Sequence, residues 1–164
     1  IRALSGGVTT DDIFDMVKKL REKTEIPLVF MTYLNPVFHY GYEAFFERCQ
    51  DVGIDGIIIP DLPFEEKEEV VASRYGIDLI SMIAPTSKER IRKIAKGAKG
   101  FLYVVSSMGV TGERTNITTD IGGMLKEIRS VSSVPAAVGF GIHTPDQAAE
   151  ISKRRMVLLS EVQL

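Results

Sequence analysis

Short apolar runs alternate along the chain with amphipathic segments of about ten residues. The runs are continuously apolar rather than alternating, which is typical of strands buried on both faces of a parallel sheet. β-branched and aromatic side chains are frequent in them, which favours strand over helix. The predicted strands are 27–33, 56–59, 77–83, 101–105 and 136–138.

The segments between the runs carry the signals of helices. Thr10, with Asp11 and Asp12 behind it, is predicted to cap the first helix. The last predicted helix begins with an N-cap at Thr144, followed by a first-turn proline at Pro145 and a first-turn acid at Asp146. The helices predicted before that one are 10–20, 42–52, 64–74, 87–96 and 119–129.

This order of elements predicts an α/β fold built from right-handed βαβ units. Two closures are compatible with it, a doubly wound open sheet and an eight-stranded (β/α) barrel. A barrel typically needs about 250 residues, and this chain has 164. The chain has material for five strands and a doubtful sixth, so any barrel it forms is an incomplete one.

Composition narrows the class of protein further. The chain has 20 Lys and Arg against 22 Asp and Glu, which leaves no strongly basic footprint for nucleic acid. A single cysteine excludes a disulfide framework and a multi-cysteine zinc site, and fits a reducing, cytoplasmic location. No apolar run is long enough for a membrane span. Because the first residue is Ile1, we expect either a processed start or a piece of something longer.

Candidate chemistry lies where the predicted strands end, since both architectures place function there. Gly139-Phe140-Gly141 precedes a capped helix and predicts either a phosphate cradle or a simple tight turn. The polar loop 106–114 is either a functional lid or an ordinary surface loop. Tyr33 and Tyr103 either point hydroxyls into a common mouth or pack as aromatics.

Asp61 lies between Pro60 and Pro63, after the second predicted strand. It is either an acid, a base or loop-positioning carboxylate, or a turn residue bonded to the amides of its own loop. His39 and His143 look like loop residues without ligand partners at metal spacing, so no metal site is expected. Cys49 lies on an apolar helix face and is expected in the core.

Taken together and in order, the strand-end segments resemble the alpha subunit of tryptophan synthase. The resemblance runs from Ile1 to about Lys153, and the Asp-Leu-Pro and Gly-Val-Thr-Gly segments are its specific part. The matching segments are 27–33 with Asn35-Pro36, 53–63, Ala84-Pro85-Thr86, Tyr103 with Ser106 and 109–112, and 139–142.

The resemblance implies a TIM barrel and a lyase of tryptophan biosynthesis. The family cleaves indole-3-glycerol phosphate to indole and glyceraldehyde 3-phosphate, a retro-aldol reaction that needs no cofactor. Two carboxylates move the protons, one to indole C3 and one from the glycerol hydroxyl. Indole passes to a beta subunit, which carries pyridoxal phosphate, within an α2β2 heterotetramer in the cytoplasm.

The resemblance also implies roles for residues of this chain. The indole pocket matches at Tyr33, Ile58, Ile83 and Tyr103. The closing loop matches at Thr111 and Gly112, where the threonine orients the catalytic carboxylates. The phosphate cradle matches at Gly139, Phe140 and Gly141, and the face toward the beta subunit at Asn35, Asp61 and Pro63.

The chain departs from the family pattern at both ends. The family's catalytic Glu and Asp precede the position of Ile1, so no catalytic residue is expected in this sequence, and we expect no lyase activity and poor solubility of the chain alone. Residues 1–153 are predicted to be one partial barrel domain. The tail 154–164 is abnormal and is compatible with a frameshifted reading of a strand that carries a Gly-Ser turn. Reading the bases after the Lys153 codon tests that hypothesis.

Other functions stay open at this point. The chain could be catalytically inactive and keep only a surface for a beta subunit, or it could be a nonfunctional remnant. It could also belong to another phosphate-binding barrel, such as a phosphosugar isomerase or an indole-glycerol phosphate synthase. Those barrels share the Gly-rich turns, but we do not expect them to combine Asp61-Leu62-Pro63 with Gly109–Gly112.

Overall fold

In the computed structural model, the described residues are 6–105, 120–139 and 157–158. The chain divides into two compact units, Ile1–Leu79 and Ile80–Leu164. Each unit contains one parallel sheet with helices between its strands. The predicted α/β class with parallel strands is confirmed. The predicted boundary between a domain 1–153 and a tail stays a prediction.

The first unit is a three-stranded parallel sheet of β1 (Val29–Met31), β2 (Gly56–Ile58) and β3 (Asp78–Leu79) in that order, with register pairs Met31↔Ile58 and Ile57↔Leu79. Two 3-10 helices precede the last strand. In chain order the elements are α1 (Thr10–Arg21), β1 (Val29–Met31), α2 (Leu34–Tyr40), α3 (Tyr42–Val52), β2 (Gly56–Ile58), the 3-10 helices Phe64–Glu69 and Val71–Tyr75, and β3 (Asp78–Leu79).

Local chemistry explains where these helices begin and end. Thr9, not the predicted Thr10, is the N-cap of α1, because its hydroxyl accepts the Asp12 amide at 3.2 Å while the Asp12 carboxylate accepts the Thr9 amide at 2.8 Å. At the end of α3, Gly53 takes φ 78°, a left-handed conformation that a side chain would oppose.

The core of the first unit contains a cluster of aromatic rings among aliphatic side chains. Phe14 of α1 is fully buried, and its ring lies 5.4 Å from that of Phe45 and 5.8 Å from that of Phe30. Phe46 is also fully buried and stacks on Tyr75 at 6.5 Å. Edge and tilted contacts of this kind stabilise beyond simple area burial. The rings of Phe14, Phe45 and Phe30 pack α1 and α3 against β1.

An arginine clamp lies beside the amino ends of β1 and β2. Arg21 donates to the Gly53 carbonyl through Nε at 2.9 Å and to the Asp55 carboxylate through Nη2 at 2.5 Å. Asp55 in turn accepts the Leu28 amide at 2.7 Å. One guanidinium therefore ties the end of α1 to the loops that precede both strands.

The second unit is a four-stranded parallel sheet of β4 (Ser81–Ile83), β5 (Leu102–Val105), β6 (Ala136–Gly139) and β7 (Val157–Leu158) in that order. Ser87 caps its first helix through the Arg90 amide at 3.3 Å, and Asp120 caps its second through the Gly123 amide at 2.8 Å. Glu127 joins the two helices by bonds to Arg92 and Lys88. The elements are β4 (Ser81–Ile83), α4 (Lys88–Lys96), β5 (Leu102–Val105), α5 (Ile121–Arg129), β6 (Ala136–Gly139) and β7 (Val157–Leu158).

Three predicted elements differ from those observed. The strand predicted at 77–83 is two strands in different sheets, since an apolar run does not specify which neighbour it bonds. The helix predicted at 64–74 is a pair of 3-10 helices separated at Val70, whose backbone is extended at φ −87° and ψ 103°. Val70 and Val71 are β-branched, which disfavours a continuous helix. The segment after β1 was expected to be a loop, but it forms α2, and His39 is helical.

Burial follows the expectation for some strands but not for others. Every residue of β2 and β6 is buried, as predicted for strands covered on both faces. β1 differs, because Val29 and Met31 are exposed on either side of a half-buried Phe30. Within the described part of the chain β1 pairs only with β2. The doubtful sixth strand is represented by β7, which lies within residues 154–164 and pairs with β6.

Candidate functional site

In the first unit, the residues after β1 and β2 are held opposite each other. The register pairs Met31 with Ile58, and three residues beyond each lie Leu34 and Asp61. The Leu34 amide donates a hydrogen bond of 2.9 Å to the Asp61 carboxylate. Leu34 is the first residue of α2, whose N-cap, Tyr33, makes no capping bond with its own side chain. Asp61 therefore caps a helix that belongs to the neighbouring strand end.

The loop that carries Asp61 is itself a hydrogen-bonded turn. The Leu62 amide donates to the Ile59 carbonyl at 3.1 Å, with Pro60 at the second turn position, which its fixed φ suits. Of the readings left open for Asp61, the structure supports the loop-positioning carboxylate. The amide it bonds is not in its own loop.

Tyr33 and Ile58 lie at these strand ends with very different exposure. Tyr33 is 66% exposed, whereas Ile58 is 5% exposed within β2. Met31, the register partner of Ile58, shares its face of the sheet, because paired residues of parallel strands point to the same side.

The three residues that the resemblance assigns to a partner face all lie in this region. Asn35 lies in the first turn of α2, Asp61 in the turn after β2, and Pro63 at the N-cap of the first 3-10 helix. All three are exposed. Phe38, in the same short helix as Asn35, is 62% exposed, so this end of the unit also presents an apolar side chain to solvent.

In the second unit the structure brings Tyr103 and Gly139 together. Tyr103 is 1% exposed in β5, and Gly139 is buried at the end of β6. A Cβ built on Gly139 would overlap the Tyr103 hydroxyl and would lie 2.9 Å from Cε1. Glycine is thus required there by close approach of a neighbouring side chain.

Ile83 is not on the same face as that pair. The register pairs Tyr103 with Met82 and Ala137, whereas Ile83 pairs with Val104. Since successive side chains of a strand alternate between faces, Ile83 and Tyr103 lie on opposite sides of this sheet. The expectation that both line one indole pocket does not agree with that register.

The remaining predicted site residues lie outside the described part of the chain. They are Thr111, Gly112, Phe140 and Gly141.

The described residues offer little other chemistry. No group of three His, Cys, Asp or Glu side chains among them could hold a metal ion. Cys49 is fully buried, as predicted, and burial raises the pKa of its thiol to about 12. A thiol in that state is neutral and a poor nucleophile. In the same part of the chain, no helix has the length and apolar character to cross a membrane.

Parallel strands alternating with helices define an α/β protein, and the solved structures that it matches are (β/α) barrels. The chain matches the tryptophan synthase alpha subunit from Campylobacter jejuni with a TM-score of 0.80 and 37% identity, over 96% of this chain and 64% of that one. It also matches a Pyrococcus furiosus chain from a study of mutual activation of the tryptophan synthase α2β2 complex, with a TM-score of 0.83 and 33% identity.

Sequence comparison specifies the family. The model of the family described as "Tryptophan synthase alpha chain" matches residues 1–157. The alpha chain of Lacticaseibacillus casei is 53% identical over 150 residues, which cover 90% of this chain and 56% of the relative. That of Alkaliphilus metalliredigens is 50% identical, over 86% and 54%. The chain belongs to the tryptophan synthase alpha chain family and spans a little over half the length of these relatives.

Proposed function

We propose that this chain serves the alpha reaction of tryptophan biosynthesis, the retro-aldol cleavage of indole-3-glycerol phosphate to indole and glyceraldehyde 3-phosphate. The observation that supports it most strongly is family membership over residues 1–157. The packing of Tyr103 against Gly139, at matched family positions, adds to it.

The reaction requires protonation of indole C3 and removal of a proton from the glycerol hydroxyl. Both are acid–base steps for carboxylates and need no cofactor, whereas pyridoxal phosphate belongs to the beta subunit. Our proposal gives residues 1–164 the binding role and not the acid–base role.

The binding role is divided among the matched residues. We assign contacts with the indole ring to Tyr33, Ile58 and Tyr103, and the closing loop to Thr111 and Gly112. The phosphate is assigned to Gly139, Phe140 and Gly141, where backbone amides can approach an anion closely. Contact of Ile83 with the indole ring has the least support, because the register places Ile83 on the face opposite Tyr103.

The same proposal includes a partner and a location. We propose that Asn35, Asp61 and Pro63 face a beta subunit in an α2β2 assembly in the cytoplasm. Exposure of Phe38 supports a docking face there, since an aromatic side chain amid polar residues is typical of interface cores. A chain that only binds the beta subunit, without catalysis, would use this same face.

An exchange of segments tests the catalytic part. The matched 150 residues of the Lacticaseibacillus casei alpha chain are replaced by those of this chain, and indole release is measured. We expect turnover of indole-3-glycerol phosphate, and a fall of about tenfold or more in kcat/KM with Tyr103→Leu, the loss expected for an aromatic binding contact. Tyr75→Leu is the control for removing a packed tyrosine elsewhere. A folded hybrid that releases no indole would contradict the proposal.

A further inference from the structure

The Asp61 carboxylate has a local role that the partner-face assignment does not describe. Its Oδ1 accepts the amide of Leu34, 27 positions earlier in the chain, at 2.9 Å. Asp61 is exposed in the turn after β2, whereas Leu34 is half-buried at the start of α2, and the bond between them lies at the surface. The contact depends on the register of β1 with β2 and on the turn that presents Asp61.

The bond holds the helix that carries the proposed partner residues. The first four amides of any helix lack partners within it. In α2 the side chain of the N-cap residue, Tyr33, accepts none of these amides. The Asp61 carboxylate accepts the first of them, the amide of Leu34. Asn35 follows Leu34 directly, Tyr33 precedes it, and Phe38 lies one turn further along α2.

We propose that Asp61 is a positioning residue that orients α2, and with it Tyr33, Asn35 and Phe38, rather than a charge that itself contacts the beta subunit. This inference rests on the proposed function for its partner. The positioning role requires that the Asp61 side chain offer an oxygen acceptor, and it does not require a negative charge. A carboxylate that paired with a cation of the partner would need the charge.

That difference makes two substitutions informative. Asp61→Asn keeps a side-chain oxygen that can accept the Leu34 amide and removes the charge. Asp61→Ala removes both. Asp51→Ala, an exposed aspartate on α3, is the matched control for losing a surface carboxylate.

The first measurement is amide hydrogen exchange of the chain alone, which does not depend on any partner. We expect Asp61→Ala to speed exchange at Leu34 about tenfold, the loss expected for one hydrogen bond. Asp61→Asn and Asp51→Ala should leave it within about twofold. Exchange along α3 should not change in any variant.

The second measurement is binding to the beta subunit of a tryptophan synthase. Rescue of binding by Asp61→Asn, with loss in Asp61→Ala, supports positioning. Loss of binding in both variants, with Leu34 still protected in Asp61→Asn, overturns it in favour of a charge contact. If the unsubstituted chain does not bind, the partner proposal fails. Amide exchange at Leu34 then decides alone whether Asp61 positions α2. Faster exchange only in Asp61→Ala then supports the positioning role, and unchanged exchange overturns it.

Discussion

The ring of Tyr103 occupies the space that a Cβ on Gly139 would need. The two residues lie on adjacent strands, β5 and β6, and on the same face of the sheet. Tyr103 is almost completely buried. The size of the Tyr103 side chain therefore limits what can replace Gly139, at a strand end where we propose a binding site.

Gly139→Ala should consequently destabilise the chain. Forcing one extra carbon into a packed site costs about 1–3 kcal/mol. At position 139 the added carbon would meet the buried ring of Tyr103. The free energy of unfolding, from urea denaturation followed by circular dichroism, measures the effect.

The double variant separates this contact from other effects of Gly139→Ala. With Tyr103→Leu already present, the added cost of Gly139→Ala should fall by about 1 kcal/mol or more, the coupling expected of residues in direct contact. Equal costs in both backgrounds would show that the two side chains do not compete for space.

The arginine clamp predicts a stability effect at the opposite ends of the strands. Arg21→Ala removes bonds to Gly53, Ile26 and Asp55, and should lower the free energy of unfolding by about 2 kcal/mol. Arg21→Lys should recover only part of it, because a lysine cannot reproduce the fork of donors. Arg74→Ala, on the exposed face of a 3-10 helix, is the control and should change stability little.

Glu127 predicts a pH dependence. Partial burial acts to raise its pKa, but the bonds from Arg92 and Lys88, with their charges, outweigh it and hold the pKa below the ordinary 4.5. A carboxyl whose pKa is lower in the folded state stabilises that state above the unfolded pKa and loses the effect as pH falls.

The difference in stability between the chain and Glu127→Gln should therefore be constant near neutral pH. It should shrink as pH falls through 4.5 toward the lower folded value. A difference that grew on acidification would contradict the lowered pKa.

Cys49 should be unreactive in the folded chain. Its thiol is buried and its pKa is raised to about 12, so the thiolate that reacts with disulfide reagents is scarce. Labelling by an aromatic disulfide at neutral pH should follow the rate of unfolding and be immediate in denaturant. Because the chain has only one cysteine, a fast signal under native conditions could come from no other thiol.

Elements with strong local signals could be predicted from the sequence. The boundaries of α3 were predicted without error because its apolar face is regular and Gly53 stops it. Buried strands such as β2 and β6 were evident from their continuous apolar character. The position of Cys49 in the core followed from the same helical period.

Features that depend on pairing between distant segments could not be predicted. The split of 77–83 between two sheets depends on which neighbour each part bonds. The bond from Leu34 to Asp61 and the opposite faces of Ile83 and Tyr103 both depend on strand register. A single sequence contains no direct signal for register, so the bond that Asp61 accepts from Leu34 became visible only in the structure.

The most direct test of the account is binding of this chain to the beta subunit of Lacticaseibacillus casei tryptophan synthase, measured by isothermal titration calorimetry. Two exposed apolar side chains give a matched pair, since Phe38 is 62% exposed on α2 and Met16 is 60% exposed on α1. We predict saturable binding that Phe38→Asp weakens about tenfold or more and that Met16→Asp leaves nearly unchanged. No binding, or an equal loss in both variants, would contradict the proposal that the ends of β1 and β2 form the face for a beta subunit.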